Sequence, residues 1–333
     1  MQAPAIALDA MSGDHGPRII LPAALEILKK YPDIRLILVG HEDKLRAELP
    51  DTPFADRLVI HHAEQVVEMD DSVSVALRSK KQSSMRVAIN LVKEGKAAAC
   101  VSAGNTGALM AVSRFVLKTI RGIDRPAIIA TVPTAISHTH VLDLGANVDC
   151  TAEHLLQFAL MGSVLISETE NKPNPTVALL NIGSEDIKGN SVVKQASALL
   201  EQESSLNYTG YIEGNQINHS DIDLVVCDGF VGNVALKTSE GVAKFIAKVL
   251  KKQFNRGIYS RLIGLLALPI LKRLSREINP DEYNGASLVG LRGVVVKSHG
   301  GAGVKAFYHA IETAITEARQ DLPARIEEKL PNP

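Results

Sequence analysis

The sequence contains no tryptophan, and aromatic residues make up only 4% of it. A chain so poor in flat rings has little with which to stack nucleobases. Charge of one sign is missing as well: 36 basic side chains stand against 37 acidic ones. Both absences argue against a nucleic-acid partner. Cysteine is scarce: Cys100, Cys150 and Cys227 are odd in number, widely spaced and in no CxxC or Cys/His arrangement. That excludes a disulfide framework and a zinc site of that kind, and predicts buried, reduced thiols in a cytosolic protein. No apolar run reaches the roughly 20 residues of a membrane span. The first nine residues lack the basic and apolar regions of a signal peptide and read as a strand. There is no Walker A sequence and no G-x-S-x-G elbow. Gly301-Ala-Gly-Val-Lys-Ala306 fits a dinucleotide pattern, but too little chain follows it for the next strand and its ribose-binding acid. A nicotinamide-dependent dehydrogenase is set aside on that ground, and neither metal nor cofactor is expected.

What the chain has is apolar runs. They lie at Ile6–Ala10, Ile34–Gly40, Leu58–His62, Ala97–Ser102, Ala127–Val132, His140–Leu144, Val177–Ile182 and Leu224–Cys227. Most show no alternation, as expected of parallel strands covered on both faces. Helical segments separate them: Pro17–Lys30, Ser84–Glu94, Thr106–Thr119, Ala152–Glu170, Ser191–Glu203 and Val234–Asn255. The pattern predicts an α/β fold, a parallel sheet with helices on both sides and the strand-end loops along one rim. Leu288–Lys297 reads as one or two further strands and Gly303–Gln320 as a closing helix. The polar tail after Leu322 is expected to be loose. No linker divides the chain, so residues 1–333 read as one catalytic α/β unit.

Four strand ends run into loops of Gly, Asn, Ser and Asp: Ser102-Ala-Gly-Asn-Thr-Gly107, Asp143-Leu-Gly-Ala-Asn-Val-Asp149, Asn181-Ile-Gly-Ser-Glu-Asp-Ile-Lys-Gly-Asn190 and Asp228-Gly-Phe-Val-Gly-Asn233. Ligands of parallel sheets bind at such places, and helix N-termini present free N–H groups to anions. Ser102, Gly104, Asn105, Thr106 and Gly107 are candidate phosphate contacts; Ser102 or Asn105 capping the next helix is the plainer alternative. Lys188 is a candidate partner for phosphate, or a solvated cation. Asn233 is placed to donate to a carbonyl oxygen that gains charge, or to cap its helix. Asp228 orients a neighbour or closes a turn, and Asn147 belongs to a supporting wall. His15 and His299 are candidate bases or phosphate contacts, or structural. The basic stretch Arg78–Met85 fits phosphate, an acidic carrier or plain solvation.

One segment breaks the pattern. Residues 241–276 contain no acidic side chain but carry Lys244, Lys248, Lys251, Lys252, Arg256, Arg261, Lys272, Arg273 and Arg276 around the apolar run Leu262–Leu271. This reads as a basic amphipathic protrusion, over 241–283, for an anionic membrane surface or an acidic partner. Packing on the core or on a second copy is the alternative.

Taken together, the loops resemble those of the acyl-carrier-protein:phosphate acyltransferase family. Asp9-Ala-Met-Ser-Gly-Asp-His15, Gly122-Ile-Asp-Arg-Pro126 and Gly285-Ala-Ser-Leu-Val-Gly290 add to the likeness, which spans the chain. Ser12 departs from a common glycine and Ile187 from a lysine that can precede Lys188. The resemblance implies transfer of a long-chain acyl group from acyl carrier protein to inorganic phosphate, giving acyl phosphate for phospholipid synthesis. It implies an isopropylmalate dehydrogenase/phosphotransacetylase-like α/β/α fold, a homodimer, and a cytoplasmic protein peripherally associated with the inner membrane. Lys188 and Asn233 fall on its catalytic positions. A phosphotransacetylase-like enzyme using acyl-coenzyme A would share the loops but leave 241–276 unexplained.

Overall fold

The computed structural model describes residues 4–185, 187–277 and 280–330. Asp186, the side chain of Arg276 and the prolines at 331 and 333 lie outside it. The chain opens with β1 (Ala5–Asp9), α1 (Pro17–Lys30), β2 (Arg35–Gly40), α2 (Glu42–Glu48), β3 (Leu58–His62), α3 (Val73–Arg78), α4 (Ser84–Lys93), β4 (Ala99–Ser102) and α5 (Thr106–Leu117). A hairpin follows, β5 (Ala127–Pro133) and β6 (His138–Leu142). Then come α6 (Ala152–Glu170), β7 (Thr176–Asn181), α7 (Ser191–Gln202), β8 (Asn207–Glu213), β9 (Leu224–Val226), α8 (Gly229–Phe254) and α9 (Ile258–Glu277). The chain closes with β10 (Ala286–Val289), β11 (Val294–Lys297), α10 (Val304–Arg319) and α11 (Leu322–Lys329).

Among the described residues, eleven strands join one sheet in the order β3-β2-β1-β4-β11-β10-β5-β6-β9-β7-β8. Residues alternate between its faces. Ala7, Cys100, Ile128, Val141 and Val225 pack with α4 and α5 on one face. On the other, Ile6, Leu8 and Val101 meet α1 and α10. Farther along that face, Ile129, Leu142 and Val226 meet α6. Fully burying each Ile or Leu is worth roughly 1.5–3 kcal/mol, so the three layers hold together through these alternating contacts. This is the expected three-layer α/β/α fold.

The expectation of a single rim is wrong. β5 and β6 are antiparallel, because the four residues between them cannot make a parallel crossover, which takes a dozen or more. β10 is antiparallel to both its neighbours. β6, β9, β7 and β8 therefore run against β3, β2, β1, β4 and β11. The carboxyl ends of β1, β4 and β11 lie on one rim, and those of β6, β9 and β7 on the opposite one. Two further differences are local. The tail is helical over Leu322–Lys329, because Leu322 and Ile326 are buried against α6. β8 escaped notice because it is a polar edge strand broken by Gly210 at φ 93°.

Glu317 in α10 is wholly buried, with Ser287 Oγ donating to it. Burial pushes its carboxyl up to about 7 from 4.5. An acid that holds its proton this way stabilises the fold fully below the unfolded value and loses that contribution as pH rises through 7. The shift corresponds to about 3 kcal/mol at ~1.4 kcal/mol per unit. Denaturant titrations at pH 5 and pH 8.5 are expected to show a loss of that order in the wild type and a flatter profile for Glu317→Gln. An equal loss in both removes Glu317 as the cause.

Candidate active site

Three of the four loops meet on one rim. β9 lies between β6 and β7, parallel to both, so the loops 143–149, 228–233 and 181–190 leave adjacent strands ~4.8 Å apart. Asp143 organises the first. Its carboxylate accepts hydrogen bonds from Ile128 N (2.9 Å), Ala146 N (3.1 Å), Asn147 N (2.7 Å) and Asn147 Nδ2 (3.0 Å). Burial still pushes its pKa up, against these bonds.

The start of α8 rests on this loop. Asp228, not Asn233, caps the helix, accepting from Val231 N at 2.8 Å. Gly229 N donates to Asn147 O at 2.7 Å. A methyl at Gly229 would stand 2.8–2.9 Å from Asn147 N and O and Asp143 Oδ2, and one at Gly232 would overlap the Asp143 carbonyl. The two glycines thus serve backbone-to-backbone packing. The helix begins five residues earlier than the sequence suggests, which leaves the Asn233 side chain free of capping. Asn233 is exposed and stands against Gly145, whose missing Cβ would lie 3.5 Å from Asn233 Cβ.

Lys188 sits in the neighbouring loop. Asn181 Nδ2 donates to its carbonyl at 3.4 Å, and Gly189 turns at φ 93° beside Asn181. The Lys188 ammonium pairs with Glu185 at 2.7 Å in an exposed setting. That pair raises the lysine and lowers the glutamate.

A groove of about 730 Å³ runs along α5. Thr106 and Gly107 line its start; Val73, Leu77, Met110, Ala111 and Phe115 make it apolar. Arg114 and Lys118 line it farther along α5, with Ile128 and Gly145–Asn147 also in the wall. The groove thus links the 102–107 loop to the Asp143 loop beside which Asn233 stands. Arg114 and Lys118 were missed in the sequence because they sit in a helix end rather than a glycine-rich loop. The turn of helix carrying Arg114 opposite a strand-end loop was the available signal.

The other predicted positions lie on the far rim. Ser102 is buried; its hydroxyl donates to Asp9 Oδ2 at 2.6 Å and accepts from Gly104 N at 3.1 Å. Gly104 is buried under Met85, and Asn105 caps α5 through Ala108 N at 2.9 Å. These three shape the loop, and only Thr106 and Gly107 face the groove. Asn147 lines it too, with its amide committed to Pro126 O and Asp143. Ser12 accepts from Ala103 N at 2.9 Å, so the hydroxyl that departs from the family pattern ties two loops. His15 is exposed in a separate polar cleft with Asp14, Arg18 and Lys44. His299 is exposed, its Nδ1 accepting from Gly301 N at 3.1 Å. Lys297, unnoticed in the sequence inside an apolar strand, is buried and donates to Ala103 O at 3.2 Å. Burial pulls its ammonium down to about 8, Lys237 on α8 pushes the same way, and Asp9 opposes.

The glycine packing has a measurable consequence. Gly232→Ala is expected to lose ~1–3 kcal/mol by overpacking, whereas Gly241→Ala, with nothing within 4 Å, gains ~0.5–1 kcal/mol. Denaturant unfolding of both variants checks this; equal effects would mean the Asp143 contact is not tight.

The profile of a family described as fatty acid synthesis protein matches residues 5–325. A phosphate acyltransferase from Methylococcus capsulatus is 58% identical over 327 residues, which cover 98% of this chain and 96% of the relative. One from Nitrosococcus oceani is 57% identical over 323 residues, covering 96% and 95%. A phosphotransacetylase from Streptococcus pyogenes has the same fold, with a TM-score of 0.63 at 16% identity over 95% of this chain and 94% of that one. The resemblance read from the loops is borne out: the chain belongs to the fatty acid synthesis protein family of these phosphate acyltransferases, and is an acyltransferase.

Proposed function

We propose that the chain transfers a long-chain acyl group from acyl carrier protein to inorganic phosphate, supplying acyl phosphate for phosphatidic acid synthesis. The observation that carries this reading is the apolar groove along α5, whose wall includes Gly145, the residue against which Asn233 stands. A fatty chain fits its walls, and the thioester carbonyl then lies near Asn233. Phosphate is itself the nucleophile, so no acyl-enzyme is needed. A phosphate oxygen attacks the thioester carbon and the carbonyl becomes an oxyanion. The C–S bond then breaks, and the thiolate leaves to take a proton from solvent. Asn233 Nδ2 donates to the oxyanion. Lys188 holds the phosphate dianion by exchanging Glu185 for it, with Arg114 and Lys118 adding positive charge along the groove. Positioning of the two reactants supplies the rest.

The helices α8 and α9 support the remainder of the reading. Their lysines and arginines accompany exposed Phe245, Leu262, Ile263, Leu265, Leu266 and Ile270. At 3.6 residues per turn the apolar positions of α9 wind around more than half of its circumference, too much for one flat surface to cover. A second copy of the chain on one side and an anionic membrane on the other account for both. Among the described residues no helix is long and apolar enough to cross a membrane, which agrees with peripheral binding.

Phosphate-dependent release of carrier-protein thiol is the primary test. Acyl-coenzyme A serving equally well as donor would overturn the carrier-protein assignment. Asn233→Ala is expected to lower kcat by about 10²–10³-fold, and Lys188→Ala to lose most of kcat, both folded by circular dichroism. Near-wild-type turnover removes the residue concerned from the mechanism. Leu266→Glu is expected to reduce cosedimentation with phosphatidylglycerol vesicles several-fold while soluble turnover stays within twofold. Unchanged cosedimentation assigns Leu266 to protein packing.

A further inference from the structure

A second cluster lies away from these loops. His138 and His140 stand on one face of β6, two residues apart as a strand requires. Glu170, the last residue of α6, reaches the same face. His138 Nε2 is 2.9 Å and His140 Nε2 3.3 Å from one oxygen, Glu170 Oε1. The three atoms lie within 4.8 Å of one another. We propose that His138, His140 and Glu170 bind a divalent transition-metal cation of the zinc class.

Four features support a site over a chance contact. Tetrahedral ligands at ~2.0–2.2 Å from zinc stand roughly 3.3–3.5 Å apart, close to the two histidine–glutamate distances of 2.9 and 3.3 Å. Both rings turn the same nitrogen onto the same carboxylate oxygen, so one cation among the three atoms takes a lone pair from each and releases any displaced proton to solvent. His138 is steadied from behind by Ser137 Oγ, 3.2 Å from its Nδ1, as metal-bound imidazoles commonly are. Finally, the nearby cation Lys172 is committed to Asp223 at 2.5 Å, which leaves Glu170 to the imidazoles. Three protein ligands leave a fourth position for water. Thr131 Oγ1, 3.2 Å from His140 Nε2 on the paired strand, can hold that water. Bound there, the ion pins the β5–β6 hairpin to the end of α6. Asp143 follows the far end of β6, ~10–16 Å away at ~3.3 Å per residue, so the ion stands outside the acyl-transfer chemistry.

Full-length protein treated with chelator and desalted is titrated with Co²⁺, read by visible absorption, and with Zn²⁺, read by equilibrium dialysis and thermal melting. The wild type is expected to bind one equivalent, show the intense bands of tetrahedral cobalt and melt higher with Zn²⁺. Glu170→Gln, nearly isosteric, and His138→Ala, at a half-exposed position, are each expected to weaken binding at least tenfold and lose the melting shift. His219→Ala, a surface control, keeps both. No stoichiometric Co²⁺ binding by folded wild type, or equal binding by wild type and Glu170→Gln, overturns the proposal. Neither outcome bears on acyl transfer, which is assayed separately.

Discussion

The site depends on one close approach, the first turn of α8 lying directly on the Asp143 loop. A carboxylate buried in an apolar layer is costly unless its oxygens are filled, and Asp143 fills them with three backbone N–H groups and one amide. That fixes residues 143–147 as a rigid shelf. Gly229 and Gly232 let α8 settle on it without an intervening side chain. Asn233, the next residue, is then aimed by backbone alone. The shelf holds the turn that carries Asn233 stiff, which is what the proposed oxyanion contact calls for.

A second network ties the opposite rim. Asp9, Ser12, Ser102 and Lys297 link the loops after β1, β4 and β11 through buried hydrogen bonds. The two rims would be separate sites if nothing joined them. The groove along α5 does so, because a helix that starts at the end of β4 must return across the sheet before β5 begins. Ser102–Gly107 is thus the place from which this helix is launched.

Much of this was legible in the sequence. Pro17–Lys30 and Ala152–Glu170 carry their helix limits in Pro17 and in the Thr151 cap, and the buried strands are plain apolar runs. The loops that carry Lys188 and Asn233 stand out as Gly- and Asn-rich strand ends, and they do follow adjacent strands. The reversal of half the sheet was present too, in the short link from Pro133 to His138, but apolar runs without alternation do not declare their direction. Lys297 and Glu317 could not be found, since their meaning lies in burial that only the folded chain creates. The glycines of Asp228–Asn233 carry no sign in the sequence of what approaches them, which is another stretch of backbone.

The length of α8 gives this arrangement a mechanical side. Its 26 residues make a stiff rod ~39 Å long at 1.5 Å per residue. One end is pinned by the Asp143 shelf and the other continues into the greasy hairpin with α9. A rod pivoting near its base turns a slight rotation into a wide sweep at its tip. The outer hairpin and the turn that carries Asn233 are therefore the two ends of a single rod.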